Sequence, residues 1–103
     1  MSRIDIDLQR ALRQADQIDG LAGQLEKLAG NRLGTSLQNL SAGWKGESAG
    51  LYCEKGNRLA GNMAQTARNM KVTAENIRIA ARRIYNAEKK AEELAKKRTY
   101  GGN

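Results

Sequence analysis

The sequence predicts an all-α fold: an antiparallel helix-turn-helix hairpin that dimerises into a four-helix bundle. Three observations carry this expectation. Proline is absent from the 103 residues, and strong helix formers (Ala, Leu, Lys, Arg, Glu, Gln) dominate. Two long apolar stripes recur at four-three spacing, one in each half of the chain. Between them, residues 41–50 read SAGWKGESAG and place the only tryptophan among glycines and serines.

The first helix is expected over about residues 4–42. Ser2-x-x-Asp5 is a weak form of the capping box and marks its start. The stripe runs Ile4, Leu8, Ala11, Ala15, Ile18, Ala22, Leu25, Ala29, Leu33, Leu37, Leu40 and Trp44. Its rhythm is four-three as far as Leu25, then three successive four-residue steps to Leu37. Added four-residue steps locally unwind a coiled coil. Leu12, Leu21 and Leu28 widen the stripe, so this face can touch two neighbours. Gly20, Gly23, Gly30 and Gly34 each cost about 1 kcal/mol relative to Ala, which makes this the softer helix.

The turn is expected over about 43–47, where Gly43 and Gly46 admit backbone conformations closed to other residues. Glu47 and Ser48 suit the first turn of the next helix. That helix is expected over about 48–97, with a flexible tail over 98–103 and the whole of 1–103 as a single domain. Its seam runs Tyr52, Gly56, Leu59, Met63, Thr66, Met70, Thr73, Ile77, Ala80, Ile84, Ala87, Ala91 and Leu94. No charged residue falls on it, and the steps alternate four and three without a fault. Such a heptad seam implies packing with a left-handed supercoil. Leu8, Ile18, Leu25, Leu33, Leu40, Leu59, Met63, Met70, Ile77 and Ile84 are its main hairpin and dimer residues.

Burying a Leu or Ile contributes about 1.5–3 kcal/mol. Fixing each residue's backbone costs about 1–2 kcal/mol. Seams with this much Ala, Gly and Thr leave a lone hairpin marginal. A partner is therefore expected, either a second copy or another helical hairpin.

The net charge is +7, and from Asn76 onward eight Lys or Arg face only Glu88, Glu92 and Glu93. A basic end fits an acidic partner, nucleic acid or an anionic surface, and equally a solvated helix face. Cys53 stands alone, which excludes an internal disulfide; a lone thiol commonly packs as a small hydrophobe. No apolar run is long enough to span a membrane. The opening MSRIDIDLQR lacks the apolar core of a secretory signal peptide, so export, if any, is expected to bypass the Sec route. With no histidine, no nucleophile-base pair, no metal-ligand cluster and no glycine-rich phosphate loop, neither catalysis, a metal nor a cofactor is expected.

Trp44-Lys45-Gly46 between two long helices resembles the WXG family, the ESAT-type small proteins of type VII secretion. Ala49 and Tyr52 add to the likeness, because the family often has a small residue and then an aromatic after its motif. The resemblance covers nearly the whole chain. It implies a hairpin that dimerises, is cytoplasmic before export, and leaves by a Sec-independent route driven by a type VII secretion ATPase. Family members serve as secreted effectors, or as adaptors for a larger LXG-type toxin with a related helical N-terminal domain. Trp44 and Gly46 would form the turn motif, with Ala49 and Tyr52 packing beside it.

The family's export signal is Tyr, three residues, then an acid. Here Tyr85 is followed by Glu88 and then Lys89, which departs from that form. A looser pattern is met by Ile84, Glu88, Ala91 and Ala95. Ile84, Tyr85, Glu88 and Ala91 are therefore the candidate signal, and the departure keeps the adaptor role open. Nucleic-acid binding is the rival from another class. It is supported by charge alone, without a zinc finger, a basic zipper region or an aromatic platform.

Overall fold

The computed structural model describes residues 2–101, with side chains described over 2–98. Nearly all of these residues are helical, and no strand occurs among them. Helix α1 spans Arg3–Lys27, a π-helical stretch follows over Leu28–Leu33, and α2 spans Gly34–Gly43. After a short turn, α3 spans Glu47–Gly101. The backbone stays right-handed helical through Lys27 and Gly34, so α1, the π stretch and α2 form one unbroken arm.

The capping box forms. The Asp5 amide donates to Ser2 Oγ at 3.2 Å, and the Ser2 amide donates to Asp5 Oδ2 at 3.3 Å. The Ser2 hydroxyl adds a bond to the same carboxylate oxygen at 2.8 Å. Side chain and backbone thus satisfy each other's orphan donors at the start of α1.

The π stretch explains the irregular rhythm of the first arm. An α-helix turns about 100° per residue, so each four-residue step drifts about 40° around it. Three such steps in a row would carry Leu37 far from the face that holds Leu25. The wider i to i+5 turn of a π-helix absorbs this drift. Ala29 and Leu37 consequently remain buried, with Leu33 partly buried between them.

The turn is three residues long. Trp44 is extended (φ −119°, ψ 122°), and its amide still donates to the Leu40 carbonyl at 2.9 Å, closing α2. Gly46 sits at φ +120°, a conformation that side-chain-bearing residues rarely adopt. Its carbonyl accepts the Gly50 amide at 3.2 Å, which starts α3. At the other end α3 runs on through Gly101, so residues 98–101 of the expected tail are helical; residues 102 and 103 lie outside the described residues. Lys96, Lys97 and Arg98 are good helix formers, and cations are favoured near a helix C-terminus.

The fold comprises two compact units. In the unit spanning Ile18–Val72, the first arm runs antiparallel to α3. Leu37 meets Cys53 and Gly56 near the turn, and Glu26 forms an ion pair with Lys71 farther out. Its buried residues are Ala22, Ala29, Leu37, Ala49 and Ala67. The other unit joins residues 2–17 to residues 73–101. Asp5 lies 3.8 Å from Lys89, and Asp16 lies 2.7 Å from Arg78, again an antiparallel pairing. Ala15 and Ala74 are its buried residues.

The stripe of the first arm lies as expected: Ile4 through Leu40 are buried or partly buried at every step, and only Trp44 is exposed. The first arm covers the seam of α3 only in part. Gly56, Met63, Met70 and Ile77 are partly buried. The alternate positions Tyr52, Leu59, Thr66, Thr73, Ala80, Ala87 and Leu94 are exposed, as are Ile84 and Ala91. Cys53, Ala60, Ala67, Ala74 and Ala81 are covered in their place, each one residue further along. Ala60, Ala67 and Ala74 permit a close approach of the two helices at which the larger Leu59 does not fit; Ile84 is exposed beside the larger, partly buried Tyr85, so size does not explain its position. None of the larger side chains is fully enclosed.

Gly56 and Gly61 separate packing from helix propensity. A Cβ at Gly56 would collide with the buried Leu37 side chain, whereas one at Gly61 meets nothing. Gly61→Ala is expected to stabilise the fold by about 0.5–1 kcal/mol. Gly56→Ala is expected to cost about 1 kcal/mol net, because the overpacking penalty exceeds the propensity gain. Urea unfolding followed by circular dichroism at 222 nm measures both.

Candidate functional site: an aromatic elbow and an open apolar groove

The glycine-bearing turn ends α2 at a point that leaves Trp44 beside the first turns of α3. Its ring centroid lies 5.9 Å from that of Tyr52, with the planes tilted by 58°. Such tilted pairs exceed simple area burial by about 0.5–1.5 kcal/mol. Both rings remain open to solvent, Trp44 by 41% and Tyr52 by 62%, and Leu51 beside them is exposed as well. Ala49 is buried and lets α3 approach the first arm just after the turn. The structure therefore gathers Trp44, Gly46, Ala49 and Tyr52 at one elbow. Trp44 forms an exposed aromatic pair with Tyr52.

Beneath the elbow an open groove runs within the Ile18–Val72 unit. Leu33, Leu37, Tyr52, Lys55, Gly56 and Leu59 line its first part. Leu28, Arg32, Leu33, Ser36, Leu59 and Met63 line the next. A third concavity adds Gln24, Lys27 and Asn31 around Leu28 and Arg32. The floor is apolar and is shared by Leu28, Leu33 and Leu37 of the first arm and Tyr52, Leu59 and Met63 of α3. Leu59 is 53% exposed, and Leu21 and Leu28, which widen the stripe of the first arm, are also exposed.

The candidate signal residues belong to the other unit. Ile84 and Tyr85 line a concavity with Ile4, Asp7, Leu8, Ala11, Ala81 and Glu88. Ile84 is 58% exposed, and Glu88 and Ala91 are exposed. Tyr85 is partly buried, with the Lys89 ammonium 5.7 Å from its ring centre. Hydrogen bonds from Ser2, side chain first and then backbone, hold the Asp5 carboxyl below the usual carboxylate range. Desolvation, second only to the Ser2 hydroxyl bond, opposes the shift, while the Tyr85 hydroxyl and the charge of Lys89 add smaller contributions in the lowering direction. Among the expected seam residues, Leu8, Ile18, Leu25, Leu33, Leu40, Met63, Met70 and Ile77 are partly buried.

Among the described residues, no three His, Cys, Asp or Glu side chains converge as a metal site would need. None of the helices described is long and apolar enough to cross a membrane. No family model, curated protein or solved structure matches the chain. The likeness to the WXG family therefore rests on the turn residues and the paired helices.

Sequence reading placed the elbow but overlooked the cations of the groove. Lys27, Arg32 and Lys55 flank the seam positions at helical spacing, and that spacing was the available signal.

Two outcomes test the site. Tyr52→Ala is expected to bare the Trp44 indole and shift its fluorescence to longer wavelength, with the far-ultraviolet circular dichroism unchanged. Asp5 has a folded-state pKa below its unfolded value, so its stabilisation is present above the unfolded pKa and lost as pH falls through the folded one. Asp5→Asn should therefore lower Tm at pH 7 and narrow its difference from the parent chain at pH 2–3, as thermal melts at both pH values would show.

Proposed function

We propose that the chain is a non-enzymatic helical partner protein that works by pairing its groove face with another helical hairpin, in the manner of WXG-family proteins of type VII secretion. One observation carries this reading. The α3 seam keeps a strict heptad rhythm, yet nine of its thirteen positions stay uncovered by the first arm. A heptad seam is the pattern that supercoiled helical partners match. A second hairpin laid on Leu28, Leu33, Leu59 and Met63 would complete a four-helix bundle of the usual left-handed kind.

The elbow supports the same reading. An exposed aromatic pair beside an apolar groove is the composition that protein interfaces favour at their cores. The family likeness of the Trp44-Lys45-Gly46 elbow implies export as a folded dimer, driven by a type VII secretion ATPase.

Adaptor service to a larger LXG-type toxin is the second reading, and the signal region favours it. Lys89 occupies the place of the acid in the strict export signal, and it sits between Asp5 and the partly buried Tyr85. Tyr85 is therefore engaged within its own unit rather than freely displayed. On this reading the partner bears the better signal and carries the chain along.

The test is the native mass of the chain isolated from its source cell, together with its distribution between cells and medium. A complex with one further helical chain, or a dimer, is expected. The amount in the medium should fall when the type VII ATPase is inactivated. A monomer in the cell extract would sink the pairing, and an unchanged distribution would sink the export route.

A further inference from the structure

The concavities of the Ile18–Val72 unit share a charge signature. The charged residues that line them are Lys27, Arg32 and Lys55; no carboxylate lines any of the three. None of these cations forms an ion pair among the described residues of the unit, whose Glu26 is engaged by Lys71 and Glu54 by Arg58. The apolar floor is thus rimmed by uncompensated positive charge on both sides, Lys27 and Arg32 from the first arm and Lys55 from α3.

We propose that the occupant of this groove is an amphipathic helix of a different, acidic chain, and not a second copy of this one. The inference rests on the pairing reading above and names the chemistry of the partner. The occupant would set apolar residues on Leu28, Leu33 and Leu59 and extend flanking carboxylates to Lys27, Arg32 and Lys55. A symmetric dimer through the groove is isologous, so the same patch meets itself. Three cations would then face three cations with no acid in the patch, in molecules that already carry +7 each. Like charges placed together across an interface are a device that rejects a partner. A polyanion such as nucleic acid would satisfy the rim but leave the apolar floor unused.

The test uses the full chain and three labelled 28-residue heptad peptides, followed by fluorescence anisotropy. One has Leu at the seam and Glu at the flanks, one has Leu at the seam and Lys at the flanks, and one has Ser at the seam and Glu at the flanks. Rim ion pairs contribute about two- to threefold each. The Leu/Glu peptide should therefore bind about tenfold more tightly than the Leu/Lys peptide at about 50 mM salt, and the gap should close as salt rises. Lys27→Gln/Arg32→Gln/Lys55→Gln should abolish the preference while keeping the helicity. Leu59→Gln should weaken both Leu peptides. Equal binding of the two Leu peptides, or a preference that survives the triple substitution, would overturn the proposal. Equal binding of the Ser/Glu and Leu/Glu peptides would overturn it too, as would a stable self-dimer of the chain alone. Those results leave helical pairing itself standing, except that a Ser/Glu peptide as good as the rest points to a polyanion. If instead neither Leu peptide binds and the chain is monomeric in its source cell, the pairing reading falls.

Discussion

Alanine against helix is the contact on which this molecule depends. Ala22 and Ala67 in one unit, and Ala15 and Ala74 in the other, are wholly shut off from solvent, while every larger side chain keeps some exposure. Residues this small let two backbones come close, and close approach excludes bulk. Once Ala60, Ala67 and Ala74 of α3 face the first arm, Leu59 has nowhere to go but outward. The price of tight pairing is an apolar surface that the chain cannot cover by itself.

That surface links packing to function. Burial of alanine removes little area from water, so the paired arms gain modestly from their own contact. The larger gains remain unrealised in Leu21, Leu28, Leu59 and Tyr52 until something covers them. Surface ion pairs such as Asp5 with Lys89 and Asp16 with Arg78 set the register of one unit more than they stabilise it. The proposed pairing rests on this open apolar surface and on the cations at its rim.

The π stretch and the turn show how local rules serve this plan. Three consecutive four-residue steps would rotate the first arm's apolar face away from α3, and the six residues Leu28–Leu33 take up the drift. Gly46 then reverses the chain with a positive φ and leaves Trp44 extended beside Tyr52. Both features were legible in outline: the rhythm break at Leu25 to Leu37, and glycines around a lone tryptophan. The π geometry and the ring pairing were not, since each depends on what the opposite arm presents.

Local chemistry, read from the sequence by itself, determined the helices, the capping box at Ser2 and Asp5, the position of the reversal and the face of the first arm that turns inward. These follow from propensity, hydrogen-bonding groups and periodicity, all of which act within a few residues along the chain. The tertiary structure decided which side of α3 meets that face. Two apolar rows one residue apart, Leu59 with its heptad mates and Ala60 with its own, satisfy helical periodicity equally well. Only the distance between the two helices separates them, and that distance is set by the size of side chains on both arms at once.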